Sequence, residues 1–150
     1  MPGRALKGVL IGCGAVLILA AIGVFLAVRY VSKNQDRWVA RSTEIRDAGR
    51  TFGKSKRESD CVAESLNRYR GDRSIMGAFR ARIWLSGCLE SSAVEPDFCT
   101  NVPPETEIAR SAAWRVGVCA RNGMQGDSNC PNVIAEVQTY CASPERAKKR

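Results

Sequence analysis

Apolar and polar positions divide the chain into an N-terminal apolar block and a longer region with helical periodicity. Residues 8–28 contain no charged side chain and are rich in Leu, Ile, Val, Ala and Gly. At a rise of about 1.5 Å per residue, a helix of this length matches a hydrocarbon layer of about 30 Å. The block therefore predicts a transmembrane helix, preceded by a short basic N-terminus over residues 1–7.

A cleaved signal peptide is the alternative interpretation of this block. Arg4 and Lys7 supply a positively charged leading region, and Ala21 and Gly23 form the best small-residue cleavage pair. Apolar residues nevertheless continue past this pair as far as Val28. That continuation favours an uncleaved anchor over a mature N-terminus.

Two helical repeats follow the apolar block and predict a basic helical stalk over residues 29–57, with the helix itself ending near Gly53. One repeat is apolar, at every seventh position: Val31, Trp38, Ile45 and Phe52. The other is basic, at every fourth position: Arg29, Lys33, Arg37 and Arg41. One apolar residue per heptad is too few for a coiled coil, so we expect the apolar stripe to pack on the protein's own domain or to contact a partner weakly. The four basic side chains are candidates to bind anionic lipid headgroups.

Helix-boundary residues predict four helices in the region 58–143. The capping box Ser55–Glu58 marks the start of the first helix, and Gly71 its end. Ser74 suits the N-cap of the second helix, which runs to about Glu90. The third helix is expected to begin near Pro104 and to end at Asn122–Gly123, and the fourth to begin at Pro131.

No segment alternates with period two, so the expected fold class is all-α, with two helical hairpins behind the membrane helix and stalk. The apolar faces are assigned to Met76, Phe79 and Ile83 in the second helix and to Ile108, Ala112, Val116 and Cys119 in the third. Residues 144–150 carry four basic side chains and one acid, and are expected to form a disordered tail.

The distribution of charge limits the kinds of partner. The chain has a net charge of +8, but residues 58–143 contain eight Arg and eleven acids. The positive excess therefore lies in the stalk and the tail. A nucleic-acid-binding domain carries its excess on the folded surface, so we do not expect the Cys-rich region to bind nucleic acid.

Seven Cys and no His narrow the chemistry further. Without His there is no Ser-His-Asp or Cys-His catalysis and no His-ligated zinc. The Cys residues are not paired two to four positions apart, as metal sites require, so we expect no metal and no cofactor. Cys13 lies in the apolar block, and the remaining six form an even set, which predicts disulfides and an oxidising compartment.

The hairpin layout predicts how these six Cys pair. The first hairpin brings Cys61 and Cys88 to the same level. In the second hairpin, one pair lies beside the turn and the other near the open ends. The predicted bridges are therefore 61–88, 99–141 and 119–130, involving Cys61, Cys88, Cys99, Cys141, Cys119 and Cys130.

Membrane orientation is a point of conflict. Six Lys and Arg follow Val28 within 22 residues, and by the positive-inside rule they would place the C-terminal region in the cytoplasm. Six regularly spaced Cys without a metal favour an oxidising compartment instead. On the weight of the Cys we expect a cytoplasmic N-terminus and a periplasmic or extracellular C-terminal domain.

An arginine cluster is the candidate partner surface, which we call the arginine patch. It surrounds the turn of the first hairpin and comprises Arg68, Arg70, Arg73, Arg80 and Arg82. Guanidinium groups bind carboxylate or phosphate with two hydrogen bonds, so the patch would suit an anionic partner. The alternative is a solvated surface whose Arg stems cover apolar neighbours.

Together these patterns predict a single-pass membrane protein with a disulfide-bonded helical domain that binds or assembles with a protein partner, without catalysis. One alternative is a secreted binder or enzyme inhibitor released by signal cleavage. Another is a cytoplasm-facing protein that binds nucleic acid or anionic lipid through the basic stalk.

Overall fold

A computed structural model describes the backbone of residues 3–149, and the side chains from residue 16 onward except those of residues 17, 34 and 150. This part of the chain forms helices and no strand, which confirms the all-α class but not the predicted N-terminal transmembrane helix. The helices, in order, are α1 Gly3–Gly53, α2 Glu58–Gly71, α3 Ile75–Ser91, α4 Ile108–Arg121, α5 Cys130–Cys141 and α6 Pro144–Lys148.

The chain divides into two compact units, residues 1–40 and 41–150. In the first unit, every side chain that the structure describes is exposed, including Leu19 at 69% and Phe25 at 62%. No helix among the described residues is long and apolar enough to cross a membrane. Residues 8–15 and 17 of the predicted transmembrane segment, with Cys13 among them, lie outside the described side chains.

The second unit begins inside the predicted stalk, at Arg41. Ile45 and Phe52, from the seven-residue repeat, pack against the core of this unit, as expected for a stripe that lies on the protein's own domain. Val31 and Trp38, in the first unit, are exposed at 63% and 55%. Two of the four apolar residues in the repeat therefore pack within the second unit, and the other two are exposed.

Glycines allow the 41–53 part of α1 to approach α3 closely. A Cβ atom at Gly49 would overlap the Trp84 carbonyl oxygen, and one at Gly53 would overlap the carbonyl oxygen of Cys88. On the opposing helix, a Cβ at Gly87 would overlap the Arg46 carbonyl oxygen. Backbone therefore packs on backbone at this crossing, as in small-residue helix contacts.

Most helix ends lie where the sequence predicts them. α2 ends at Gly71, the Ser74 hydroxyl caps α3 by accepting from the Gly77 N–H at 3.0 Å, and α5 begins at Cys130 with Pro131 in its first turn. The start of α2 is a correction. Arg57, and not Ser55, occupies the N-cap, and Glu58 is fully buried instead of capping the helix.

The buried faces of α3 and α4 also differ from the prediction. Met76 and Phe79 are 44% and 50% exposed, and Ile108 is 80% exposed. The buried face of α3 instead combines small residues with Trp84 and Leu85. Small residues permit close backbone contact, which a search for large apolar side chains overlooks.

Three disulfides hold the second unit, with the pairing predicted from the hairpins. Their Cα–Cα distances are 5.7 Å for Cys61–Cys88, 5.6 Å for Cys99–Cys141 and 6.1 Å for Cys119–Cys130, all within the usual range for a disulfide. Five of the six bridged Cys, all except Cys99, belong to or pack against one core formed mainly by α2, α3 and α5. The disulfides indicate an oxidising environment, periplasmic or extracellular.

The C-terminal residues, expected to be disordered, instead form α6. The Ser143 hydroxyl caps this helix, and Arg146 is only 2% exposed. The Arg146 guanidinium lies 2.7 Å from the carboxylate of Glu58, which is fully buried and also accepts a hydrogen bond from the Tyr140 hydroxyl at 2.8 Å. Lys149 donates to the Leu89 carbonyl oxygen at 2.8 Å. Arg146 and Lys149 therefore attach the end of the chain to the rest of the second unit.

Candidate functional site

The arginine patch is the starting point for the site, and each of its five side chains has a partner within the fold. Arg68 pairs with Glu64, Arg73 with Asp127, Arg80 with Asp72 and Arg82 with Glu136, while Arg70 donates to the Asn122 carbonyl oxygen. Four carboxylates thus face five guanidinium groups. The arginine patch with its partners is therefore nearly neutral, and these contacts do not favour a broad anion-binding surface.

Arg73 is the member most clearly engaged in structure. Its partner Asp127 also accepts hydrogen bonds from the Tyr69 hydroxyl at 2.6 Å and from the backbone N–H groups of Asn129 and Cys130 at 2.9 Å. Burial alone would raise the pKa of Asp127, but these donors lower it overall. Burial and the bond to Asp127 raise the pKa of Tyr69 to about 12. This network fixes the α4–α5 loop against α2.

Arg68 and Arg80 have a different environment, because both line a cavity of about 240 Å³ beside Trp84. We call it the Trp84 cavity. Its walls come from α1, α2, the α2–α3 turn and α3, and its lining consists of Ile45, Ala48, Arg68, Asp72, Gly77, Arg80, Ala81 and Trp84. Both arginines remain about half exposed, so the cavity is accessible from solvent.

Trp84 lines this cavity and contacts two neighbouring side chains. The Trp84 ring packs against Phe52, with the two ring centroids 5.2 Å apart. The Arg68 guanidinium carbon lies 4.4 Å from the centroid of the Trp84 ring and makes a cation–π contact with it. Trp84 is only 2% exposed, yet its indole N–H has no hydrogen-bond partner among the described residues. A buried donor without a partner is rare in folded proteins and needs an explanation.

Asp72 supplies the acid of the cavity. It accepts from the Ser74 backbone N–H at 3.1 Å and pairs with Arg80. Hydrogen bonds from Ser74, together with the charge of Arg80, lower the pKa of Asp72. Arg68 is paired with Glu64 in the same way, so both cations of the cavity are already paired within the fold.

A second, larger cavity of about 470 Å³ is polar. Its cations, Arg46 and Arg50, both pair with Glu90, and the separation between the Arg50 and Glu90 side chains is 2.9 Å. Burial alone would raise the pKa of Glu90, but the two arginines lower it overall. Both cations of this cavity are thus already paired within the fold.

The predicted headgroup-binding residues are all exposed side chains: Arg29, Lys33, Arg37 and Arg41. The first three lie in the first unit and Arg41 begins the second. Their contact with lipid stays a prediction. No group of three metal-ligating side chains is found within the described part of the chain.

Sequence reasoning found the arginines of the site but not its aromatic component. Trp84 belongs to the buried core and also lines the cavity. Its orphaned N–H depends on which neighbours surround it, and no spacing along the chain indicates that.

Comparison with known protein families, with curated proteins and with solved structures gave no match to this chain.

Proposed function

We propose that this protein is a single-pass, membrane-anchored component whose disulfide-bonded helical domain binds a protein partner outside the cytoplasm, without catalysis. Residues 8–28 would form the anchor, with residues 1–7 in the cytoplasm.

The exposure of apolar side chains in the first unit carries the membrane part of this proposal. From Val16 to Val31, the large apolar side chains that the structure describes are between 49% and 70% exposed. They occur on all sides of a helix, and a helix that is apolar all round is stable only when buried in a protein or in a bilayer. A bilayer supplies that burial without a further chain.

The disulfides and the Trp84 cavity support the remaining parts. Three bridges favour export of the second unit, since reducing compartments do not maintain structural disulfides. The Trp84 cavity is open to solvent on the second unit, and its lining includes apolar as well as charged side chains. Its volume is below the range of about 300–1,000 Å³ typical of sites for small-molecule ligands, and it suits a partner's side chain better.

Alkaline carbonate extraction of membranes that contain the full-length protein tests the anchor. We expect the wild type to stay in the membrane pellet at its full mass. Ile18→Arg puts a charge at the centre of the span, at a cost of about 2.5–3.5 kcal/mol, and should shift protein to the soluble fraction. Gln35→Arg adds the same charge outside the span and serves as the matched control.

The other outcomes decide between the alternatives. Loss of residues 1–23 from the intact mass would support the secreted form. Full-length protein released by carbonate would contradict membrane anchoring. Protection of the second unit from protease in right-side-out vesicles would favour the cytoplasm-facing alternative.

A further inference from the structure

We propose that the Cys99–Cys141 disulfide is a reversible redox switch, opened by a thioredoxin-like dithiol protein, and that it controls whether residues 96–102 are held against α5. These residues, which we call the strap, lie in the long connection between α3 and α4. In the oxidising environment that the disulfides indicate, the closed bridge is the resting state. The inference concerns regulation of the second unit and does not depend on the membrane anchor.

The three disulfides differ in how far solvent reaches them. Both cysteines of Cys61–Cys88 are 0% exposed, and those of Cys119–Cys130 are 2% and 0% exposed. The two cysteines of Cys99–Cys141, by contrast, are both partly exposed. Exchange begins when an external thiolate attacks a disulfide sulfur, so the attacking group must reach the bridge. Of the disulfides that the structure describes, Cys99–Cys141 is therefore the one open to attack without prior unfolding.

The strap has few attachments to the rest of the second unit. Its backbone N–H groups at residues 98, 100 and 102 donate to carbonyl oxygens three positions earlier in the chain. Among the described residues, no hydrogen bond or ion pair joins the strap to a helix. Phe98 and Val102 pack against the core, and Cys99–Cys141 is the covalent attachment. Reduction of this bridge leaves the strap held by apolar contacts alone.

Both ends of the strap stay anchored when the bridge is open. Glu95, just before the strap, donates through its backbone N–H to Glu58 at 2.8 Å, and its carbonyl oxygen accepts from Arg146 at 2.9 Å. The carbonyl oxygen of Pro103, just after the strap, accepts from the Gln138 side chain at 2.7 Å. Opening the bridge should therefore free a short segment between two fixed points while the helices remain packed.

The strap forms one side of an apolar cavity of about 190 Å³. Phe98 and Val102 line it together with Val62 of α2, Trp114 of α4 and Val137 of α5. Displacement of the strap would uncover these apolar side chains of the helices. The oxidised and reduced forms would then present different surfaces to a partner.

The exchange is a balanced two-electron transfer. A thiolate of the dithiol protein attacks one sulfur of Cys99–Cys141, which breaks the S–S bond, forms a mixed disulfide and releases the other cysteine as a thiolate. The second thiol of the dithiol protein loses its proton and attacks the first sulfur of that protein, which releases the remaining cysteine. The dithiol protein is thereby oxidised to a disulfide, and its two electrons and two protons convert Cys99 and Cys141 to thiols.

Timed reduction of the full-length protein in mild detergent tests the switch. Reduced thioredoxin is the probe, and samples are quenched with acid, alkylated in denaturant and mapped by peptide mass spectrometry. We expect Cys99 and Cys141 to become alkylated at least about tenfold faster than the other four cysteines of the second unit, because the buried bridges need a prior opening of the fold. Equal rates for the three bridges, or earlier reduction of another bridge, would overturn the proposal.

The double variant Cys99→Ser and Cys141→Ser represents the open state, and chymotrypsin reports on the strap. We expect faster cleavage after Phe98 than in the oxidised wild type, with unchanged helicity by circular dichroism. Cleavage after Phe79, which lies within α3, is the internal control and should not change. Unchanged cleavage after Phe98 would show that the bridge does not hold the strap. Lost helicity, or faster cleavage at both sites, would identify a structural bridge and contradict the switch.

Discussion

The buried ion pair between Arg146 and Glu58 predicts that the last few residues stabilise the whole second unit. Replacing Arg146 with Met leaves the Glu58 carboxylate fully buried, with only the Tyr140 hydroxyl and the Glu95 backbone N–H as donors. Removing one member of a buried pair costs about 3–5 kcal/mol, because the remaining charge is uncompensated. The two surviving donors place the expected loss for Arg146→Met at the lower end, about 3 kcal/mol.

Urea unfolding of the full-length protein in mild detergent, with disulfides intact, measures this loss. Lys148→Met is the matched control, since it removes an exposed cation from the same helix and should cost less than about 0.5 kcal/mol. The double variant Glu58→Gln and Arg146→Met leaves no buried charge unpaired, so it should recover more than about 1 kcal/mol relative to additivity. Equal midpoints for Arg146→Met and Lys148→Met would refute the reasoning, as would strict additivity in the double variant.

Three further predictions concern the packing and the compartment. The pKa of Tyr69 is raised from 10.0 to about 12, so its contribution is complete below pH 10 and is lost as pH rises toward 12. The contribution lost amounts to about 2–3 kcal/mol of the free energy of unfolding. Tyr69→Phe should therefore reduce the fall in stability between pH 10 and pH 12, as measured by urea unfolding. An unchanged pH dependence in this variant would contradict the assignment. Gly49→Ala should destabilise the protein by about 1–3 kcal/mol, because its Cβ overlaps the α3 backbone. Gly117→Ala should stabilise the protein by up to about 1 kcal/mol in the same urea unfolding experiment, because there is room for its Cβ atom. Changes of the same sign in the free energy of unfolding of both variants would contradict the close packing of α1 on α3. Acid-trapped protein should show no free thiol among the six Cys of the second unit when alkylated, and six free thiols would instead support a cytoplasmic location.

Helix boundaries and the disulfide pairing could be predicted from the sequence, because they depend on local backbone preferences and on helix length. Gly71 and Ser74 act as helix boundaries because their backbone and capping preferences are local. The disulfide pairing was predictable because helix length sets which Cys lie at the same level of a hairpin.

Contacts between residues that are far apart in the sequence explain where the structure differs from the sequence-based predictions. Arg146 docks on Glu58, which is 88 positions away, and nothing in the tail itself indicates that partner. The buried face of α3 depends on its glycine contacts with α1, which carry no hydrophobic signal. The orphaned N–H of Trp84 likewise follows from tertiary packing, whereas the nearby arginines were visible as a cluster.

The arrangement of the bridges has a consequence for chain exchange. Cys61–Cys88 lies wholly before residue 89, and the other two bridges lie wholly after residue 98, so among the described cysteines no disulfide crosses the segment 89–98. Apart from the peptide chain of this segment, the two disulfide-bonded parts are held together by non-covalent contacts, chiefly between α3 and α5. After a protease cut in this segment, denaturation without a reductant would separate two fragments, each with its own disulfides. For the same reason, two copies of the protein can exchange their C-terminal disulfide-bonded parts, forming an intertwined dimer, without reducing a single disulfide.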